Sequence, residues 1–234
     1  MNMTRFSKIF ALTITLLFVV VLTSCSPNAD KKDETVQKAE SLFEQGCNYH
    51  DGIGVPVNKL KAIDCWQKAA DLGLAEAQYN LAICYDKGKG VDKDIAEAVR
   101  WYRKAAEQGY AEAQYHLGCC YYEGEGVDKD LEEAVKWYRK AAEQGNADAQ
   151  CDLAICYYHG IGVPYDKSEA VKLWRKAAEQ GLPMAQYTLG IRYYNGDGIS
   201  KDKSEAIKWF RLAAEQGDED AIDALKQLGE WNED

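Results

Sequence analysis

The fold is decided by a stretch that recurs along the chain, GYAEAQYHLGCCYYEGEGVDKD at residues 109–130 followed by LEEAVKWYRKAAEQG at residues 131–145. Nearly the same text returns 36 residues earlier and 36 residues later. A fixed period of this size is typical of stacked-repeat proteins, in which each repeat buries its apolar face against the next. The period therefore predicts a solenoid, and it directs the search for function to an extended surface.

Five repeat units follow one another without a gap, and a sixth begins before the chain ends. Apolar side chains recur at helical spacing in each unit, so each unit predicts two helices. We expect an all-α, α/α superhelical solenoid closed by a polar-sided C-terminal capping helix, and a frayed tail after it. The units are residues 38–73, 74–109, 110–145, 146–181 and 182–217, the cap is 218–229 and the tail is 230–234.

The loop between the two helices of a unit carries two glycines and then an aspartate. In the second unit, Gly88 and Gly90 suit positive φ angles or close backbone approach. Asp94, with Glu97 three residues later, predicts a capping box that starts the second helix. The glycine pairs lack the third glycine, the Lys-Ser/Thr and the preceding strand of a phosphate loop. We therefore interpret them as turn residues.

The first 24 residues have the layout of a secretory signal peptide. Arg5 and Lys8 precede the apolar run 9–22, which is shorter than the roughly 20 residues of a comfortable membrane span. The alternative is an uncleaved membrane anchor. Leu-Thr-Ser-Cys at residues 22–25 resembles the bacterial lipobox, whose cysteine is acylated and becomes the new N-terminus. The resemblance predicts lipidation at Cys25.

The resemblance to a lipobox also predicts where the protein is located. We expect a bacterial envelope protein that the lipid anchors to the membrane, since several acyl chains on one residue give lasting attachment. Ser26 follows the cysteine, and the absence of Asp there favours the outer membrane, facing the periplasm. Residues 26–33 are polar and lack an apolar period, so we expect residues 25–37 to form a flexible lipidated tether.

The charge balance bears on the class of partner. The formal net charge is −10, with acidic and basic residues interspersed. A strongly acidic surface repels phosphate backbones, so we expect no nucleic-acid partner. The sequence suggests no cofactor.

The repeat text A-x-x-x-L-G-x-x-Y-x-x-G-x-G-V-x-x-D-x-x-x-A-x-x-W-Y-x-K-A-A-x-Q-G resembles the Sel-one-like repeat, a relative of the tetratricopeptide repeat. The resemblance covers about residues 38–229 and implies a right-handed superhelix that acts as an adaptor in protein complexes. One cysteine-rich bacterial branch is linked with penicillin binding and weak β-lactamase activity. That branch joins neighbouring helices by cysteines where this chain has Ala106 and Gln114, Ala142 and Gln150, or Ala178 and Gln186.

The cysteines and histidines do not form an obvious site. Apart from Cys25, seven cysteines occupy apolar helix positions, so we interpret them as mostly free thiols that behave as small hydrophobic residues. The alternative is one or more disulfides, with Cys47 and Cys65 the best-placed pair, since an exported protein meets an oxidising compartment. The three histidines fall at different repeat positions, which favours surface histidines over a metal site. They are His50, His116 and His159.

Function is expected on the remaining face of each first helix, which in tetratricopeptide-like stacks lines a concave groove. Tyrosine supplies a large contact area with a polar tip, which suits an interface. The alternative is that Tyr79 and Ile83 pack between adjacent first helices. The candidate partner-binding residues are Glu112, Tyr115, Tyr122, Asp148, Tyr158, Met184, Tyr187 and Tyr194.

These patterns together predict a non-enzymatic, envelope-anchored scaffold that binds an unidentified envelope protein or peptide in its groove. The alternative is a protein that binds cell-wall fragments or β-lactams and hydrolyses them weakly. Ser200 and Lys203 match the S-x-x-K motif of serine enzymes, but K-T-G and G-x-S-x-G are absent from the chain. The short match lies in a predicted loop.

Overall fold

The computed structural model describes residues 27–231, with side chains from residue 33 onward, and this part of the chain contains eleven helices and no strand. The predicted all-α class is confirmed. The described residues divide into two compact units, one ending at Ala77 and the other beginning at Gln78. The helices are α1 (Pro27–Asp51), α2 (Lys59–Asp71), α3 (Ala75–Lys87), α4 (Ile95–Glu107), α5 (Ala111–Glu123), α6 (Leu131–Glu143), α7 (Ala147–His159), α8 (Lys167–Glu179), α9 (Pro183–Asn195), α10 (Lys203–Ala214) and α11 (Glu219–Leu228).

The first unit contains a hairpin of α1 and α2, and α1 corrects the predicted tether. The helix begins at Pro27, so the prediction of a flexible segment is wrong from that residue onward. Proline is favoured in the first turn of a helix, where its missing N–H costs nothing. Residues 33–38 are exposed. A helix that is already nucleated by packing gains one hydrogen bond for each residue added, without needing an apolar face.

In the second unit, each helix packs against the next in chain order, from α4 to α11. Small residues on the first helices allow large rings on the second helices to approach closely. A Cβ added at Gly118 would lie 2.7 Å from the ring of Tyr138, and one at Gly190 would lie 2.6 Å from the ring of Phe210. Leu117 and Leu189 are completely buried beside them. The interlocking of rings with small residues fixes the spacing within each hairpin.

The predicted N-caps are confirmed, but the reciprocal bond of the capping box is not formed: the Asp94 backbone N–H donates to the Tyr85 carbonyl oxygen, and the Glu97 carboxylate accepts from Arg100. The Asp94 side chain accepts a hydrogen bond from the Glu97 backbone N–H at 2.9 Å, and Asp130 accepts one from the Glu133 N–H at 3.0 Å. In the first unit, where Asn58 replaces the aspartate, the Asn58 side chain caps α2 by accepting a hydrogen bond from the Lys61 N–H. Each cap satisfies a backbone donor that the helix itself leaves without a partner.

The loop glycines serve the turn and the stacking of the hairpins. Gly124 ends α5 in the left-handed conformation, with φ of 79°. Gly126 has φ of 69° and lies so close to the preceding hairpin that an added Cβ would be 2.6 Å from the Ile95 carbonyl oxygen. The interpretation of the pairs as turn residues is therefore confirmed at these positions.

Buried glutamines occupy the positions where the cysteine-rich branch carries disulfides. The Gln114 Nε2 donates to the Ala106 carbonyl oxygen at 3.1 Å, and its Oε1 accepts a hydrogen bond from Gln144 at 2.7 Å. Gln150 and Gln186 make the equivalent bonds to Ala142 and Ala178. Amide hydrogen bonds thus join the repeats where that branch uses covalent links.

The C-terminal end is closed as predicted, but the first part of the tail is ordered. In α11, Ala221 and Leu225 are completely buried whereas Lys226 is exposed. Glu230 accepts a hydrogen bond from Arg211 at 2.8 Å, and Trp231 packs against the last core cluster. The prediction of a frayed tail is wrong for these two residues, because an ion pair and an indole ring dock them. Residues 232–234 lie outside the described residues.

Candidate functional site

The second unit presents a continuous surface built from its first helices, α3, α5, α7 and α9, which we call the first-helix face. The ring centroids of Tyr79 on α3 and His116 on α5 are 5.7 Å apart. The Tyr115 hydroxyl on α5 donates to the Asp152 carboxylate on α7 at 3.1 Å. Tyr79 therefore packs between adjacent first helices, which was the alternative for it, and Tyr115 does the same.

The other predicted groove residues divide into exposed and engaged side chains. Glu112, Asp148 and Met184 are exposed, and so is Tyr194 at the end of α9. Tyr187 is half-buried, with its ring centroid 5.7 Å from that of Phe210. The exposed residues remain available to a partner.

Tyr122 lies at the edge of a recess between α5 and α7, which we call the α5–α7 recess. Its volume is about 170 Å³, and its lining is Cys119, Tyr122, Glu123, Tyr138, Asp152 and Ile155. Burial raises the pKa of Asp152, whereas the hydrogen bond from Tyr115 lowers it. No ion pair in the described part of the chain engages Asp152 or Glu123. Asp152 is half-buried and Glu123 is exposed, and the cation recorded beside this lining is Lys129, whose Nζ lies 5.5 Å from the centroid of the Tyr122 ring.

A second recess adjoins the first one and shares Cys119 and Glu123 with it; we call it the α3–α5 recess. The side chain of Tyr102 is 1% exposed, and its hydroxyl has no hydrogen-bond partner among the described residues. The Tyr102 ring stacks on His116, with centroids 5.2 Å apart and planes within 9° of parallel. The volume is about 150 Å³, and the lining is Asp86, Lys87, Ile95, Tyr102, His116, Cys119, Cys120, Glu123 and Glu125.

The two recesses are the same place in successive repeats. Shifting the α5–α7 recess back by one period of 36 residues turns Tyr138 into Tyr102, Asp152 into His116 and Ile155 into Cys119. The repeat thus builds the shape twice, and the residues that differ give each copy its own polar groups.

One period further along, the protein fills the equivalent position with its own arginine. The guanidinium carbon of Arg192 lies 4.6 Å from the centroid of the Tyr158 ring and 5.4 Å from that of Trp174. Asp197 accepts hydrogen bonds from Arg192 at 2.9 Å and from the Tyr158 hydroxyl at 2.5 Å, and pairs with Lys167. The bonds from Lys167 and Tyr158 lower the pKa of Asp197. Tyr158, predicted to bind a partner, is therefore engaged within the protein.

The cysteines of the described residues are free thiols, as the sequence predicted. All seven cysteines outside the lipobox are free thiols, and burial raises the pKa of Cys120, Cys151 and Cys156 to about 12, so these three are poor nucleophiles. The alternative disulfide is not formed: Cys47 and Cys65 are both free thiols, and the Cys65 Sγ donates to the Gln45 Oε1 at 3.4 Å.

The expectation of surface histidines is wrong for one of the three. His116 is half-buried against Tyr102, and this burial lowers its pKa, whereas His50 and His159 are exposed. Within the described residues, no group of three His, Cys, Asp or Glu side chains could hold a metal ion. Ser200 lies exposed in the loop between α9 and α10, and the structure gives its hydroxyl no hydrogen bond within residues 33–231.

The stacked hairpins and their first-helix face define an α-solenoid repeat protein. The Sel1 repeat family model matches five times, so the chain belongs to the Sel1 repeat family, whose members generally mediate protein–protein interaction and are typically non-catalytic scaffolds. The matched residues are 39–74, 75–110, 111–146, 147–182 and 183–218.

Solved structures agree with this assignment. A Sel1 repeat protein from Oxalobacter formigenes is 37% identical, with a TM-score of 0.75 over 86% of this chain and 78% of that chain. c5321, a protective antigen of uropathogenic Escherichia coli strains with an SLR fold, is 38% identical, with a TM-score of 0.76. That match covers 79% of this chain but 39% of the longer antigen chain. No curated protein sequence matches.

The predicted anchor lies outside the part of the chain that the structure describes, since Cys25 precedes Pro27. Among the described helices, none combines the length and the apolar character that a membrane crossing requires.

Sequence reasoning missed several residues of the two recesses. Neither Tyr102 nor Asp152 is among the candidate residues indicated by the sequence. Asp152 could have been found by comparing the units position by position, because it stands where the four other units carry Glu44, Asn80, His116 and Thr188. The lack of a hydrogen-bond partner for the Tyr102 hydroxyl cannot be predicted from the sequence.

Proposed function

We propose that this protein is a non-enzymatic scaffold of the bacterial cell envelope, anchored by lipid at Cys25, which holds a protein or peptide partner against its first-helix face. The observation that carries the proposal is the pair of adjoining recesses on that face, which offer aromatic rings, carboxylates and an unpartnered hydroxyl. Family membership supports a protein partner.

Site-specific photo-crosslinking in intact envelopes tests where the partner lies. A photoreactive residue replaces the exposed Met184 or Tyr194 on α9, and in the matched control it replaces Leu212, which is exposed on the second helix α10. We expect one discrete crosslinked partner from the α9 positions and none from Leu212. Equal crosslinking from both helices would contradict a partner on the first-helix face.

The anchor is tested separately from the partner. Labelling with radioactive palmitate is expected in the full-length chain and should vanish in Cys25→Ala, because acylation needs the thiol of that residue. Fractionation then places the labelled protein, and we expect it in the outer membrane. Persistent labelling of the variant would show that the lipobox assignment is wrong.

A further inference from the structure

We infer that the two recesses together take two arginine side chains, three residues apart, from an extended segment of the partner. This inference rests on the proposed function and adds the chemistry of the partner to it. The recesses adjoin each other and share Cys119 and Glu123, so a single segment can fill both.

Charge complementarity indicates a cation. The α5–α7 recess holds Asp152 and Glu123, and no basic side chain lines it. The α3–α5 recess is lined by three carboxylates and one lysine. The lysine, Lys87, forms an ion pair with Asp86 at 3.0 Å. A partly buried carboxylate without a cation is penalised by desolvation, and a cationic side chain from a partner offsets that penalty.

The hydroxyl of Tyr102 is buried beside the α3–α5 recess without a hydrogen-bond partner, as are five tryptophan indole N–H groups elsewhere in the described residues. A buried polar group is nearly always hydrogen-bonded, and leaving one without a partner destabilises the protein. Tyr102 lines the α3–α5 recess, but its hydroxyl oxygen is itself buried, so it can accept a hydrogen bond from an N–H donor of a ligand only after neighbouring side chains move aside. A guanidinium brings five such donors in one plane.

The protein itself shows which cation fits. In the next repeat, the guanidinium of Arg192 lies over Tyr158 and Trp174 and donates to Asp197. Arg192 stands at the repeat position of Cys120, whose short side chain lines the open α3–α5 recess. Arginine is favoured on aromatic faces and beside carboxylates, because its planar group stacks and also donates in a fork.

The spacing of the repeats sets the spacing of the two arginines. The two recesses share Cys119 and Glu123, so their centres lie roughly one helix-packing distance apart, about 8–10 Å. In an extended polyproline II segment, residues i and i+3 point to the same side and are about 9 Å apart. The pattern Arg-x-x-Arg therefore matches the two recesses.

Fluorescence anisotropy with defined peptides tests the inference on the full-length chain. The probe is fluorescein-labelled GRAARG with both ends blocked, and the comparison peptides are GRAAAG and GEAAEG. We expect GRAARG to bind about tenfold more tightly than GRAAAG, because one charge-assisted contact is lost. GEAAEG should not bind, and binding of GEAAEG equal to that of GRAARG would overturn the inference.

Two variants separate recognition from folding. Asp152→Asn and Tyr102→Phe should each weaken GRAARG binding about tenfold, since each removes a partner of a guanidinium. Tyr102→Phe should keep or raise the melting temperature, because it removes a buried hydroxyl without a partner. Glu143→Gln, an equal charge change at an exposed position on α6, should leave binding unchanged. Unchanged binding in both recess variants would overturn the inference.

The outcomes distinguish this inference from the proposed function. If a partner crosslinks at Met184 or Tyr194 while GRAARG does not bind, the arginine inference is wrong and the scaffold proposal stands. If GRAARG binds in the predicted order while no protein crosslinks on the first-helix face, the recess chemistry is supported and the scaffold proposal fails.

Discussion

The close contact between neighbouring hairpins at Gly126 gives a quantitative prediction for Gly126→Ala. An added Cβ would lie 2.6 Å from the Ile95 carbonyl oxygen and 2.8 Å from its carbonyl carbon. Both atoms belong to the backbone, so the contact can be relieved only by moving one hairpin relative to the next. Gly160 is a matched control, because its φ is also 69° and its nearest contact would be the Tyr165 Cβ at 3.5 Å.

The common φ allows the backbone strain to be separated from the clash. A left-handed alanine costs about 1–2 kcal/mol, and the loss of unfolded-state entropy offsets about 0.4–1 kcal/mol of it. These contributions apply to both Gly126→Ala and Gly160→Ala. Only Gly126→Ala adds overpacking, which typically costs about 1–3 kcal/mol. We therefore expect Gly126→Ala to be less stable than Gly160→Ala by about 1–3 kcal/mol.

Urea and thermal unfolding followed by circular dichroism at the helix bands measure this difference. For a chain of this size, 1 kcal/mol corresponds to about 2–4 °C in melting temperature, so the two variants should differ by about 2–12 °C. Equal loss in the two variants would refute the reasoning, because it would mean that the hairpins separate at Gly126 without cost.

Three further changes follow from the electrostatics and the caps. Asp152→Asn should raise the free energy of unfolding at neutral pH, because burial raises the pKa of Asp152 and its native carboxylate is penalised. The gain should shrink as the pH falls through that raised pKa, where wild-type Asp152 takes up a proton, and urea unfolding across this range measures it. Tyr158→Phe should cost about 1–2 kcal/mol in urea unfolding, because it removes the donor to the Asp197 carboxylate; no loss would show that this bond adds nothing to stability. Asp130→Ala should cost about 1 kcal/mol through the lost N-cap, whereas Asp130→Asn, which can still cap, should lose less in the same assay.

The local elements could be predicted because short-range physics decides them. The three-residue spacing of Asp130 and Glu133 predicts a helix N-cap, and Gly124 predicts the end of a helix. The tether at Pro27 was misjudged because apolar periodicity detects only helices that bury a face, and α1 extends beyond its packed part. Trp231 was missed for a related reason, since its docking depends on the last core cluster rather than on the tail's own sequence.

The site was only partly predictable from the sequence. The repeat phase pointed to the first helices, and its candidate residues include Tyr122 at the edge of the α5–α7 recess. It could not distinguish Tyr122 from Tyr158, which occupies the same repeat position but is engaged by Asp197 and Arg192. The partner of a side chain on a neighbouring repeat lies some 36 residues away, beyond the reach of local patterns.

The sequence by itself determined the period, the two helices of each unit, their caps and their turns, because these depend on residues within a few positions of one another. The tertiary structure alone decided which copies of one repeat position are open and which are filled. Cys120 leaves room in the α3–α5 recess, while Arg192 at the equivalent position covers Tyr158. Stacking brings the same position of successive units side by side, so single substitutions between otherwise similar repeats turn a uniform surface into distinct recesses.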